Sequence, residues 1–352
     1  MASKFVECTL GVKYRQINAD GSVSGGRMFY LDQGLAKLGF PILGKVMAWY
    51  YAVCIVIGSL GVAAMFQANQ AYVQFVNVTG GEGSYFDERA WLFGLGLAIL
   101  TGLVIVGGIK SIARVTSKMV PFMALLYLVS ALAVIAVNIQ KLPWAVGAII
   151  EGAFSPRGVT GGVIAVLILG FRRAAFSNEA GIGSSAVAHA AVKTDEPLTQ
   201  GFVAMLEPFI DTVVICTLTA LVITMTVYDP TLVNDGTISG VELTSSAFES
   251  VFSWFPIVLA VVVMLFAYST MISWSYYGLE GFIYVFGANR WAKFSFNTIF
   301  CLFVIVGCTM QLDAVLDFSD AMIFAMALAN VLGLYFLAPG VKKDLDAYWE
   351  KL

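Results

Sequence analysis

The chain has 352 residues, 59% of them hydrophobic and 12% charged, with a mean hydropathy of +0.84, far from the composition of a soluble domain. It reads as an all-α polytopic membrane protein. A net charge of −3 with no basic tract argues against nucleic-acid recognition; Cys8, Cys54, Cys216, Cys301 and Cys308 lack metal-ligand spacing and read as small apolar residues, leaving the redox compartment open.

The opening words MASKFVECTLGVKYR lack a charged n-region followed by an apolar h-region, so a signal peptide is not expected. Apolar segments of membrane-crossing length fall at about 46–76, 91–109, 119–138, 161–188, 201–227, 254–277, 294–312 and 318–338, which predicts eight spans. The first carries three amides within four residues, Gln67, Asn69 and Gln70, which need partners inside a bilayer. Segment 144–155 is too short to cross and carries Glu151, so it belongs at an interface, and a short amphipathic helix is expected at 243–252. Trp274, Tyr276 and Tyr277 fall where an interfacial aromatic belt forms.

The fourth segment is the unusual one. From Gly170 to Gly183 it is polar, charged and rich in glycine, yet it follows directly on the apolar run 161–170. A helix entering a bilayer from that run is still inside at Arg172, Asn178 and Glu179, and lipid tolerates irregular backbone and charge only against protein or a water-filled cavity. The stretch therefore reads as a break in a membrane helix, whose half-helix ends offer partial charges to ions and zwitterions. A cytoplasmic loop between two ordinary helices is the other reading.

Glu207 and Asp211 stand one turn apart on the next span, which is unfavourable without cations. Arg172 and Arg173 are the nearest by depth, so the four form either a structural ion-pair cluster or, less directly, a coupling-ion relay. His189, four residues after Ser185, has no orienting acid, and no catalytic group is assembled, so an enzyme is not expected. Fifteen Lys and Arg of the connections, Lys4 and Arg27 among them, fall on one side of this topology. Arg89, Lys141 and Arg157 stand on the other with Asp229 and Asp235, which puts both termini in the cytoplasm.

FRRAAFSNEAGIGSSAVAHAA at 171–191, with QGFVAMLEPFIDTVVICTLTALVI at 200–223, closely resembles the alanine or glycine:cation symporters, with weaker matches over essentially the whole chain. The resemblance implies sodium-coupled uptake of a small neutral amino acid across a bacterial plasma membrane, with sodium as coupling ion and no other cofactor. It also implies a leucine-transporter-like five-plus-five inverted repeat. On that pattern the spans are core helices three to ten, the break lies in the sixth, and the opening words match the end of the second. Residues 1–352 thus form a single transporter domain expected to lack the first core helix and most of the second. A channel-like or non-transporting remnant is the alternative. No sequence feature sets an oligomeric state.

A bound amino acid needs donors for its carboxylate, acceptors for its ammonium and a small apolar wall. Backbone around Gly170 and Gly181 offers the first two, Phe171 or Phe176 the wall, while Ser177 and Asn178 either bind substrate or cap the second half-helix. By resemblance Gln67 faces the substrate; an interhelical hydrogen bond is the other role. The resemblance also gives the Phe266 carbonyl and the Ser269 and Thr270 hydroxyls to sodium, a hard cation suited by neutral oxygens, against hydroxyls bonded back to their own helix. Glu179 either joins the half-helices or serves as a second ion ligand.

Overall fold

The computed structural model describes residues 1–18, 23–154, 162–228 and 240–351. The sequence-expected Arg157, Asp229 and Asp235, and the first residue of the segment expected at 161–188, lie outside them.

The described residues are mostly helical, joined by turns and loops, and their only strands are one two-residue antiparallel pairing, Gln16–Ile17 with Val23–Ser24. In order the helices are α1 (Ala2–Lys13), α2 (Arg27–Lys37), α3 (Pro41–Gly58), α4 (Phe66–Val78), α5 (Ala90–Ile105), α6 (Gly108–Val137), α7 (Leu142–Phe154), α8 (Gly162–Asn178), α9 (Ala186–Ala190), α10 (Pro197–Ala204), α11 (Leu206–Pro208), α12 (Thr217–Thr226), α13 (Val241–Glu249), α14 (Phe255–Phe286), α15 (Arg290–Thr309) and α16 (Leu312–Trp349). Two π-helical stretches, Ser59–Met65 and Phe209–Cys216, join α3 to α4 and α11 to α12. Local chemistry sets the boundaries. Pro41 opens α3 where its missing N–H costs nothing, and the Asn289 side chain caps α15 by accepting from the Ala292 N–H at 2.7 Å.

Among the described residues seven helical segments are long and apolar enough to cross a membrane: Pro41–Val78, Asp87–Ile105, Gly108–Val137, Pro197–Thr226, Phe255–Phe286, Arg290–Thr309 and Leu312–Trp349. The eighth expected crossing is divided between α8 and α9. Pro41–Val78 is central, with 67% of its apolar stretch buried, and Pro197–Thr226 is peripheral at 11%. The main core gathers around Tyr30, Tyr51 and Trp274. A second core holds Tyr127 against Phe248 and Phe255, whose rings stack at 4.6 Å. Gly307 lets α15 touch the first span: a Cβ there would lie 2.4 Å from the Met65 Cα.

One expectation needs correction. Trp274 and Tyr276 form no interfacial belt; they are 2% and 6% exposed inside the main core, where the Trp274 indole N–H finds a carboxylate partner in Glu179. The short segments expected at 144–155 and 243–252 are α7 and α13.

Candidate functional site

The interruption is shorter than the sequence suggests and begins later. α8 stays helical through Gly170 and Phe171 to Asn178. The backbone then leaves the helix at Glu179, with φ 57°, and passes Gly181 at 92° and Gly183 at 70° before α9. The left-handed region is costly for side chains other than glycine, so the two glycines and the one strained glutamate locate the break. Gly170 therefore frees no carbonyl, and Phe171, 71% exposed on the outside of α8, forms no wall. The expected roles of these two residues do not survive.

Buried backbone groups freed by a break must find partners. The Asn178 carbonyl accepts from the Lys4 ammonium at 2.9 Å, and the Gly181 N–H donates to Glu7 Oε1 at 2.9 Å. The Gly181 carbonyl accepts from Asn330 Nδ2 at 2.6 Å, and the Ile182 carbonyl accepts from Arg27. Within the break the Ala180 N–H donates to Asn178 Oδ1 at 2.9 Å. Glu179 accepts from the Trp274 indole N–H at 2.6 Å and from the Ser184 hydroxyl. Four separate elements, α1, α2, α14 and α16, thus converge on seven residues.

Arg27 is the most confined of these partners. It is fully buried, its Nε donates to the Tyr30 hydroxyl at 2.8 Å, its guanidinium lies 4.2 Å from the centre of the Tyr51 ring, and Glu7 stands 3.8 Å away. Lys4, also fully buried, reaches Glu207 at 3.0 Å. Sequence reasoning missed this set. Lys4 and Arg27 count as connection cations in a topology argument, and the available signal was Lys4 and Glu7 three residues apart, on one face of α1.

The expected partnership of Arg172 and Arg173 with Glu207 and Asp211 is also overturned. Both arginines bind Asp320 of α16, Arg172 at 2.6 Å, and Arg172 approaches Asp317 at 3.7 Å. Glu207 belongs to Lys4, while Asp211 accepts from the Ser177 hydroxyl at 2.6 Å and from Thr212 at 3.1 Å. Asn178 Nδ2 donates to Thr212 at 2.9 Å, so the end of α8 rests on the Phe209–Cys216 π-helical stretch.

Phe176, Ser177, Asn178 and Gly181 are brought together. Phe176 meets Phe66 edge to face at 5.0 Å, which sets the first span against the break beside Gln67. Gln67 is half-buried and makes no hydrogen bond among the described residues. Asn69, in contrast, donates to the Gly307 and Met310 carbonyls, and Gln70 accepts from the Val241 N–H, so these two amides bind helices together. In α14 the Ser269 hydroxyl donates to the Phe266 carbonyl at 2.9 Å, which brings two of the three expected sodium oxygens side by side, with Thr270 half-buried next to them. Beyond the break, His189 Nδ1 lies 2.5 Å from Gln200 Nε2, and burial, with the Lys4 charge adding to it, pushes the imidazole down to about 4.

A sequence profile described as the sodium:alanine symporter family matches residues 1–352. Sodium/alanine symporter AgcS of Methanococcus maripaludis is 35% identical over 353 residues, covering 99% of this chain and 75% of that protein. Probable sodium/glutamine symporter GlnT of Bacillus subtilis is 32% identical over 349 residues, covering 99% and 69%. Amino-acid carrier protein AlsT of the same organism is 31% identical over 340 residues, covering 96% and 68%.

Proposed function

Since the chain belongs to the sodium:alanine symporter family, we propose that it carries alanine or glycine into the cell with sodium, by alternating access around the break between α8 and α9. The observation that carries this reading is the break itself: a strained, glycine-dependent interruption whose backbone polarity is held in place by buried side chains from three elements. A helix is interrupted at such a cost only where the freed ends are useful.

In this reading the substrate ammonium lies at the C-terminal end of α8, whose last carbonyls lack intrahelical partners. Lys4 occupies the Asn178 carbonyl, which leaves those of Ala175, Phe176 and Ser177 for the substrate. Gln67, Ser177 and Asn178 supply polar contacts, the Gly181 backbone lines the site, and Phe176, braced by Phe66, limits side-chain size so that a methyl group or hydrogen fits. Sodium takes the Phe266 carbonyl with Ser269 and Thr270, neutral oxygens that suit a hard cation. The relatives' printed substrates, alanine and glutamine, are amino acids with uncharged side chains, which supports a neutral pocket. A leucine-transporter-like repeat, a plasma-membrane location and cytoplasmic termini complete the proposal.

Purified protein in liposomes tests it through uptake of labelled alanine with and without an inward sodium gradient. Accumulation that needs sodium and is competed by glycine is expected. Uptake indifferent to sodium would instead support a channel-like activity, and absence of uptake would end the reading.

A further inference from the structure

Where α1, α2 and α16 end together, a cleft of about 70 Å³ opens between Lys13, Tyr14, Lys37, Leu38, Phe336 and Gly340. On α16 it sits at a change of chemistry. Tyr335 and Phe336 are exposed apolar side chains at 77% and 44%, whereas Lys342 and Lys343 follow within two turns. Phe40, itself exposed, packs on Phe336 with ring centroids 6.0 Å apart and extends the apolar strip away from the cleft. A surface that is apolar below and cationic above matches the level of lipid headgroups.

Inside the cleft the polar groups are underused. Lys13 pairs with Asp344, but the Lys37 ammonium, 4.8 Å from the centre of the Tyr14 ring, has no carboxylate partner among the described residues. The Tyr14 side chain is 8% exposed, lines the cleft, and its hydroxyl makes no hydrogen bond there. That hydroxyl opens into the cleft, free to donate to a ligand. A phosphate oxygen meets both needs, accepting from the hydroxyl and from the ammonium. With Lys13 and Lys37 lining the cleft and one carboxylate, Asp344, bound to Lys13, the charge at the cleft disfavours a choline headgroup and favours an anionic one.

We propose that this cleft binds an anionic membrane phospholipid, its phosphate on the Lys37 ammonium and the Tyr14 hydroxyl and an acyl chain along Phe336 and Phe40. The site does not depend on the transport reading, because lipid retention is measured without any flux. The full chain is purified, incubated with equal amounts of phosphatidylglycerol and phosphatidylcholine, and examined by native mass spectrometry. Phosphatidylglycerol should be retained preferentially. Lys37→Gln should reduce that preference about fivefold, the increment one lysine adds beside an anionic lipid surface. Tyr14→Phe should weaken it, Lys37→Arg should keep it, and Lys118→Gln, on α6, should leave it unchanged. Inorganic phosphate at millimolar concentration should not displace the lipid. Equal retention of the two lipids, an undiminished preference in Lys37→Gln, or displacement by inorganic phosphate would each overturn the proposal. If Lys37→Gln fails to fold, the Tyr14→Phe and Lys37→Arg pair decides.

Discussion

Replacing Gly183 by alanine tests whether the break is held by Arg27. At φ 70° any Cβ carries strain of about 1 kcal/mol. The larger effect is steric, because the new Cβ would lie 1.4 Å from Arg27 Nη2 and 2.0 Å from its Cζ, so the guanidinium must leave its place. Leaving means losing the Tyr30 hydroxyl at 2.8 Å, the Ile182 carbonyl and the Tyr51 face at 4.2 Å. Charged hydrogen bonds contribute about 1.5 to 3 kcal/mol each and a desolvated cation–π contact up to about 2. With partial relaxation of the side chain, Gly183→Ala should destabilise the protein by about 4 kcal/mol. In an Arg27→Ala background the obstacle is gone and the same substitution should cost only the backbone strain, about 1 kcal/mol. The double-mutant cycle, read by denaturant unfolding in detergent, should therefore give a coupling of about 3 kcal/mol. Equal costs in the two backgrounds would falsify the assignment of Arg27 as the break's anchor.

Lys4→Met should destabilise by about 2 kcal/mol, chiefly because it strands the Asn178 carbonyl, the Glu207 carboxylate it also releases being 42% exposed; unfolding of the variant in detergent checks this. Ser269→Ala should raise the sodium concentration for half-maximal uptake about tenfold, equivalent to about 1.4 kcal/mol, and an unchanged value would leave the hydroxyl only its bond to the Phe266 carbonyl. Phe171→Ala should leave alanine uptake unaltered while Phe176→Ala impairs it, because the first ring points away from the fold and the second packs on Phe66; equal impairment would return Phe171 to the site. His189 stays neutral in the folded protein down to about pH 4, whereas in the unfolded chain it takes up a proton near 6.5. The unfolded state thus binds more protons between these values, so stability should fall as pH drops from about 6.5 towards 4, and His189→Gln should flatten that part of a melting-temperature profile.

The fold was legible in outline because lipid imposes long apolar runs, and seven of the eight expected runs are single long helical segments. The break was legible for the same reason in reverse, since SNEAGIG inside an apolar region has few structural solutions. Its starting point was not legible. Arg172 and Arg173 look like part of a break in the sequence, but a helix keeps regular hydrogen bonds past charged residues when a buried carboxylate waits on a neighbour, and Asp320 lies well over a hundred residues away. The same blindness to distant partners misplaced Lys4, which composition assigns to a wet connection and the fold buries against Asn178 and Glu207. It misplaced Trp274 as well, because only the presence of Glu179 makes a core position acceptable for an indole N–H.

α16 holds both sides of the break. Asp320, 3% exposed, takes the two arginines of α8, and Asn330, fully buried, donates to the Gly181 carbonyl. Ten residues of helix separate these grips by about 15 Å, so α16 acts as a splint across the interruption. The first half-helix cannot tilt relative to the chain beyond Gly181 without releasing Asp320 or Asn330. Either release leaves a buried charge or a buried carbonyl unpaired, at several kcal/mol for the charge and about 1 to 3 for the carbonyl. The alternating access proposed for this break therefore has two routes. α8, the break and α16 move as one body, or substrate and sodium supply at the break the contacts that α16 gives up. Cysteine crosslinks placed between α8 and α16 separate the routes: uptake that survives the crosslink requires the first, and uptake abolished by it and restored on reduction requires the second.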